Sequence, residues 1–191
     1  MAAKQPDLVR GFADDVWGSR EAQPALQAWS DDTPVRLVDT TVPAHDPGGK
    51  AVACDGLSGP RAHQMLGRFV QGRPVSGVTC TLLAWLATYV TAQGTRALVL
   101  IGDHASGHVS QTVRAWITVD HRQAKRDGGC RIMVCRLPSI SPGLNPLEPT
   151  WGHGKRAVVE PARVLSMPEL MPRVCTYYQC ELTDPMAQPD C

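Results

Sequence analysis

The first half of the chain alternates apolar and polar positions in the way that is typical of β-strands. Residues 7–13 are a short β-prone run that leads into two acids, residues 35–42 contain several β-branched side chains, and residues 50–57 are a third run of this kind. A turn-forming segment, residues 43–49, separates the second run from the third. The pattern therefore predicts a meander of strands in this half.

The second half switches to helices that alternate with strands. Residues 76–93 carry apolar side chains at spacings of three and four and are followed by Gly94, which predicts an amphipathic helix that ends there. Residues 96–102 form a continuous apolar run, as in a strand that is buried on both faces. The remaining segments are predicted as a helix (110–121), a polar loop with a basic tip (123–129), a strand (130–137), an irregular loop (138–146), a helix from residue 146 to about Pro161, and a last helix (167–179). This order predicts an α/β fold in which a sheet of mixed direction is flanked by helices.

Composition narrows the class of protein. The chain has 191 residues, of which 43% are hydrophobic and 19% charged, as expected of one folded domain rather than a disordered segment. The net charge is +1, so no overall basic field indicates a nucleic-acid partner, and any contact with DNA must come from local basic clusters.

Cysteines and hydropathy give the expected compartment. The seven cysteines are odd in number, contain no C-x-x-C pair and lie mostly in apolar stretches, which predicts reduced, buried thiols in a cytosolic protein. The first residues lack the apolar core of a signal peptide, and the longest apolar run, near residues 80–90, is too short to span a bilayer. We therefore expect no membrane partner.

Three acids occupy matching positions relative to the predicted strands and helices. Asp14 ends the first strand, Asp103 follows the apolar strand of residues 96–102, and Glu148 begins the helix after the last strand. Neighbouring strand ends lie about 4.8 Å apart, so these carboxylates can converge at one edge of the sheet, where α/β folds tend to bind ligands. Carboxylates held together repel unless a cation lies among them. Oxygen ligands suit Mg²⁺ or Mn²⁺, and two such ions about 3.5–4 Å apart support phosphoryl transfer.

Each acid also has a purely structural interpretation. Asp14 and Asp15 can be a solvated strand end, and Asp103 can cap a turn. Glu148 lies three residues after Asn145, a good helix N-cap, so the two fit a capping box. A carboxylate that binds a metal cannot fully serve the cap, so the two interpretations of Glu148 compete.

Three segments resemble consecutive blocks of mariner-type DDE transposases of the bacterial insertion-sequence branch. They are LVRGFADDVWGSREAQPALQAW, RALVLIGDHASGHVSQTVRAWI and RLPSISPGLNPLEPTWGHGKRAV. The likeness runs from about residue 7 to residue 180, and SPGLNPLEPTW is its most specific part. Asp14, Asp103 and Glu148 fall on the family's catalytic positions, whereas Asp15 is a neighbour.

The resemblance implies a ribonuclease-H-like fold over residues 1–182, with residues 183–191 as a C-terminal tail. It implies that the three acids hold two Mg²⁺ or Mn²⁺ ions and that the chain nicks double-stranded DNA at the ends of an insertion sequence and joins the 3′ ends to target DNA. Relatives act as dimers on paired ends, so a homodimer is expected. The implied location is the bacterial cytoplasm, at the nucleoid when the protein is bound to DNA.

The chain departs from the family at several positions. His104 and Gly107 replace the usual Asn and Trp, and Gly102, Gly143 and Gly152 stand where bulkier residues are common. Such glycines can leave cavities that cost about 1 kcal/mol or more each. The separation of Asp103 and Glu148 is longer than the family's commonest spacing, which the predicted loop of residues 123–129 can absorb.

Two other functions stay open from the sequence. The chain offers no room for the helix-turn-helix region with which relatives read DNA, so we expect that region to be absent. The first alternative is thus a truncated, catalytically inactive remnant that at most binds DNA or a full-length partner. A second is a different ribonuclease-H-like nuclease, acting in repair or on RNA, which the SPGLNPLEPTW block disfavours.

Four side chains are candidates for DNA contact: Lys155, Arg156, Arg126 and His108. Lys155 is seven residues after Glu148 and shares its helix face, so it can clamp a phosphate together with the adjacent arginine; a solvated helix face is the alternative.

The tryptophans are predicted to lie in the core. Trp151, one turn after Glu148, is expected to support the site as well.

Overall fold

The structure is a computed structural model that describes residues 7–17, 27–28, 35–36, 49–56, 64–71, 75–103, 110–139, 141–158 and 165–187. The strands are β1 (Leu8–Trp17), β2 (Gln27–Ala28), β3 (Val35–Arg36), β4 (Gly49–Gly56), β5 (Gln64–Gln71), β6 (Ala97–Gly102) and β7 (Arg131–Arg136). The helices are α1 (Ser76–Thr91), α2 (Gln111–Asp127), α3 (Leu147–Val158) and α4 (Met167–Tyr178), with a 3₁₀ turn at Pro142–Leu144.

Five of these strands form one mixed sheet in the order β5-β4-β1-β6-β7. The first three neighbours pair antiparallel, whereas β1, β6 and β7 pair parallel. β2 and β3 form a separate two-residue pair, so β3 accounts for two residues of the predicted strand 35–42 and residues 37–42 lie outside the described ones. The predicted mixed α/β sheet flanked by helices is confirmed.

The helices cover opposite faces of the sheet. On one face, α1 and α2 bury Leu86 and Val113 against Leu98 and Ile132. On the other face, helix α3 packs on β5 and β1, and α4 packs on β5 through Met171. Successive strand residues alternate between these faces, so a single strand contributes to both layers of the core.

β1 is longer than the sequence predicts. Asp14 lies inside the strand rather than at its end, because the antiparallel pairing with β4 continues to Trp17. The parallel pairing with β6, however, stops at Ala13 and Gly102. Asp14 and Asp103 are therefore each the first residue beyond the β1–β6 ladder, which preserves the predicted convergence at one sheet edge.

The predicted loop of residues 123–129 is wrong. α2 continues through Asp127 and ends at Gly128, whose φ of 78° is the left-handed conformation that glycine adopts easily. Arginine, glutamine, alanine and lysine are good helix formers, so α2 continues through this mostly exposed polar segment. Residues 123–127 therefore belong to a helix rather than to a loop. The start of α2 is as predicted, since Ser110 Oγ accepts a hydrogen bond from the Val113 N–H at 3.2 Å.

β5 is absent from the sequence-based prediction because Gly67 and Arg68 interrupt its apolar alternation. Its outer edge is met by a C-terminal segment: the Met186 N–H donates to the Phe69 carbonyl at 2.7 Å, and Arg68 Nη2 donates to the Asp184 carbonyl at 3.2 Å. The described residues 184–186 therefore pack along this strand.

The remaining expectations concern thiols and membranes. The five cysteines whose side chains are described are free, and Cys130 and Cys175 are buried, whereas Cys135 is exposed. Burial raises the pKa of Cys130 to about 11 and that of Cys175 to about 12, so both are protonated thiols at neutral pH.

No helix in the described part of the chain has the length and apolar character needed to cross a bilayer.

Candidate active site

Asp14 is a buried carboxylate on a central strand. Its side chain is only 7% exposed, and its Oδ2 accepts a hydrogen bond from the Trp151 indole Nε1 at 3.1 Å. The pKa of Asp14 is raised from 3.8 to about 6, mainly by burial and then by the negative charges of Glu148 and Asp103, while a hydrogen bond from the Asp15 backbone opposes them. Asp15 belongs to the opposite face of the strand, which agrees with its exclusion from the predicted set.

The other two acids reach the same place from different elements. Asp103 is the exposed residue that follows β6, and Glu148 is an exposed residue in the first turn of α3. Both charges act on Asp14. The structure therefore places the other two predicted acids within electrostatic range of Asp14.

The start of α3 separates the two interpretations of Glu148. Asn145 is 3% exposed and its Oδ1 accepts a hydrogen bond from the Leu147 N–H at 3.1 Å, so it caps the helix as predicted. Within the described residues, no hydrogen bond joins the Glu148 carboxylate to the Asn145 backbone N–H. The capping box is thus not formed at α3, and the Glu148 carboxylate does not serve the helix cap.

Trp151 connects this helix to the first strand. It is 5% exposed and packs with Leu147 and Met65, while the ring of Tyr178 meets it edge-on at 5.2 Å. The Tyr178 hydroxyl donates to the Thr150 carbonyl at 3.0 Å, so α4 contacts α3 through both a ring and a hydrogen bond. The prediction that Trp151 lies in the core is confirmed, and its contact with the site is direct.

The glycines near the site do not have the expected effect. A Cβ at Gly102 would lie 3.2 Å from the Ala13 carbonyl oxygen, so two strands approach closely there and glycine suits the position. Gly143 and Gly152 are exposed, and a Cβ at either would meet nothing within 4 Å, so neither leaves a buried cavity. Gly154 is the demanding position, because a Cβ there would lie 1.7 Å from the Tyr178 hydroxyl oxygen.

The predicted DNA-contacting residues are not all near the acids. Lys155 is half-buried and Arg156 is exposed, both in the last turn of α3, and Arg156 Nη2 contacts His153 Nδ1 at 3.5 Å. Arg126 lies in the last turn of α2, close to where β7 begins and therefore at the sheet edge opposite Asp103. His108 lies outside the described residues.

Arg136 is a candidate that the sequence reasoning missed. It ends β7, where it pairs with Gly102, and it lines a mostly apolar crevice together with Asp103. The sequence could have indicated Arg136, because neighbouring parallel strands end at the same edge of a sheet and Arg136 is the last charged residue of the predicted strand 130–137. A guanidinium at this point is suited to a phosphate oxygen.

The donor set fits a divalent cation by its chemistry. All three side chains are carboxylates, the ligands that Mg²⁺ and Mn²⁺ prefer. Cations among them would offset the repulsion that adds to burial in raising the pKa of Asp14. Among the residues that the structure describes, no three His, Cys, Asp or Glu side chains lie close enough to share one ion. Asp14, Asp103 and Glu148 are the residues that would hold a metal, because their carboxylates supply the oxygen ligands that such a cation prefers.

A family model matches part of this chain. Residues 79–171 match the family model of the DDE superfamily endonuclease, a segment that contains Asp103 and Glu148 but not Asp14. The predicted resemblance to DDE enzymes is thereby confirmed over this segment, whereas the insertion-sequence branch stays a prediction. The comparison with curated proteins finds no match.

Solved structures define the fold more closely. The Mos1 strand transfer complex has a TM-score of 0.56 at 14% identity, covering 91% of this chain and 47% of that chain. The Mos1 transposase paired-end complex with the left transposon end has a TM-score of 0.58 at 13% identity, covering 93% of this chain and 49% of that chain. The Mos1 mariner paired-end complex with Mn has a TM-score of 0.55 at 15% identity, covering 91% of this chain and 48% of that chain. These likenesses show the predicted ribonuclease-H-like fold. The chain spans about half the length of the solved chains that it matches.

Proposed function

We propose that this chain is the catalytic domain of a DDE transposase, which cleaves double-stranded DNA at insertion-sequence ends and joins the cut ends to target DNA with the help of two Mg²⁺ or Mn²⁺ ions. The observation that carries the proposal is the placement of three acids from separate elements: Asp14 and Asp103 each follow the last pair of the β1–β6 ladder, and the helix that carries Glu148 is joined to Asp14 by the Trp151 hydrogen bond. Burial first, and then the charges of Glu148 and Asp103, raise the pKa of Asp14. Clustered carboxylates of this kind are unfavourable unless a cation or a proton is present.

Asp14, Asp103 and Glu148 are the residues that would hold the ions. When bound, two such ions about 3.5–4 Å apart activate a water or a 3′-hydroxyl and stabilise the leaving oxygen in phosphoryl transfer. Asp14 contributes a rigid position, because it lies on a central strand paired on the antiparallel side with β4. Glu148 contributes a carboxylate at the start of α3 that the helix cap does not use.

Basic side chains supply the expected contacts with DNA. Arg136 lies at the same sheet edge as Asp103, and Lys155 and Arg156 follow Glu148 along α3. We infer that these three bind phosphate oxygens, which fix the register of the duplex without reading its sequence. The paired-end complexes among the similar structures support the further expectation that the chain works as a homodimer.

The direct test is a plasmid nicking assay. We expect the wild type to nick supercoiled DNA with Mg²⁺ and not with a chelator, and Asp103→Asn to abolish nicking. Asp127→Asn is the matched control, because Asp127 is an exposed residue at the far end of α2 and should keep full activity. Nicking by Asp103→Asn at the wild-type rate would overturn the assignment of the acids.

The same nicking assay distinguishes an active transposase domain from a truncated, catalytically inactive remnant. A remnant without catalysis would retain DNA binding in a gel-shift measurement while producing no nicked circles at any Mg²⁺ concentration. A preference for RNA–DNA hybrids over duplex DNA would instead favour a different ribonuclease-H-like nuclease.

A further inference from the structure

The Trp151 side chain joins two of the three elements that carry the acids. Its indole N–H donates to Asp14 Oδ2 at 3.1 Å across 137 positions of sequence. Trp151 is also three residues after Glu148 on α3, a spacing that puts both side chains on one face of the helix. One residue therefore touches the first acid while its own helix carries the third.

Contacts behind Trp151 restrict its movement. Leu147, fully buried, and Met65 pack against it, and the Tyr178 ring meets its indole edge-on at an interplanar angle of 80°. The Tyr178 hydroxyl holds the preceding carbonyl, that of Thr150. These contacts fix the indole so that its single donor points at one carboxylate oxygen.

We propose that Trp151 is a positioning residue that couples Asp14 to the helix bearing Glu148 and thereby sets the spacing of the metal-binding carboxylates. The inference rests on the proposed function, since it assigns Trp151 a role toward the metal that those acids would hold. Groups that hydrogen-bond to ligating carboxylates orient them, and their loss typically costs about 10–100-fold in metal affinity or activity.

The chemistry of indole suits this role. Tryptophan only donates and carries no charge, so it orients Asp14 without neutralising it as a lysine or arginine would. A carboxylate offers about four lone-pair sites, so one hydrogen bond leaves sites for a cation. A purely structural tryptophan would contribute packing alone, and its N–H would be dispensable.

The test is a calorimetric titration of the full chain with Mn²⁺. Trp151→Phe removes the N–H and keeps an aromatic ring, and we expect its Mn²⁺ affinity to fall by about 10–100-fold. Trp116→Phe is the control, because Trp116 is partly buried against the core on the opposite face of the sheet, and its affinity should match the wild type. A folded Trp151→Phe variant with wild-type affinity would overturn the proposal. A wild type that binds no Mn²⁺ would instead overturn the proposed metal centre, and the positioning role with it.

A second measurement does not depend on the variant folding. In the ¹⁵N spectrum of the wild type, Mn²⁺ should broaden the Trp151 indole N–H signal more strongly than that of Trp116, because paramagnetic broadening falls steeply with distance and Trp116 packs on the opposite face of the sheet. Equal broadening of the two signals, or none at Trp151, would contradict a place for Trp151 beside the metal-binding carboxylates.

Discussion

The starts of α3 and α4 place the same residue at the same helical position and use it differently. In α4, Glu169 Oε2 accepts hydrogen bonds from the Ser166 backbone N–H at 2.8 Å and from its hydroxyl at 2.7 Å. In α3, Asn145 caps the helix by itself, and the charge of Glu148 acts on Asp14. One glutamate thus stabilises its helix, whereas the other is left at a cluster of acids. Surroundings rather than local sequence decide between the two uses.

The largest expected difference between the two glutamates is in metal affinity. Because Glu148 is a proposed ligand, Glu148→Gln should weaken Mn²⁺ binding by more than about 100-fold, beyond the loss typical of an outer partner. Glu169→Gln should leave the affinity unchanged. Isothermal titration calorimetry of both variants with Mn²⁺ measures this difference. Equal affinities would mean that Glu148 and Glu169 do not differ in metal binding.

Asp14 should reduce the stability of the ion-free protein. Its folded pKa of about 6 exceeds the ordinary 3.8, so the folded state binds the proton more tightly and stability falls as the pH rises from about 4 to 6. The shift corresponds to about 3 kcal/mol at pH 7. We expect Asp14→Asn to recover up to about that amount at pH 7, and little at pH 3.

Urea unfolding with a chelator present, at both pH values, measures this effect. Added Mn²⁺ should stabilise the wild type by mass action and leave Asp14→Asn unchanged. An Asn variant less stable than the wild type at pH 7 would show that burial of the Asp14 charge beside the start of α3 is not unfavourable, and the contrast with α4 would weaken.

The contact between α3 and α4 gives the next effect in size. Gly154→Ala places a methyl group where the Tyr178 hydroxyl lies, so we expect a loss of about 1–3 kcal/mol by overpacking. Gly152→Ala, on the exposed side of the same helix, should instead stabilise by up to about 1 kcal/mol because alanine favours helix. Thermal unfolding of both variants is sufficient, and a tolerated Gly154→Ala would show that Tyr178 does not brace α3.

The smallest expected effect is the difference in stability between variants at the N-terminal caps of α4 and α3. Glu169→Ala removes a capping box and should cost about 1 kcal/mol. Glu148→Ala removes no cap hydrogen bond, so we expect no loss of stability when metal is absent. Chemical denaturation of the two variants compares them directly. A similar loss in both would mean that Glu148 serves its helix after all.

Much of the fold follows from local patterns, and the failures have physical causes. The apolar run of β6 and the spacing in α1 predict those elements because burial requires them. The extension of α2 is missed because an exposed polar helix has the composition of a loop, and β5 is missed because Gly67 and Arg68 break its alternation.

The candidate site divides in the same way. The convergence of Asp14 and Asp103 follows from the parallel pairing of their strands. The hydrogen bond from Trp151 to Asp14 joins residues 137 positions apart, and no local pattern predicts which side chain will meet a buried carboxylate. The sequence likewise gives Glu148 and Glu169 equivalent helical positions, and only tertiary packing separates them.

The most direct test of the proposed metal centre is Mg²⁺-dependent nicking of supercoiled DNA by the wild type, Glu148→Gln and Glu169→Gln under identical conditions. We expect nicking by the wild type and by Glu169→Gln, and none by Glu148→Gln. Nicking by Glu148→Gln at the wild-type rate would contradict the proposal, because a carboxylate that can be lost without effect is not part of the metal-binding centre.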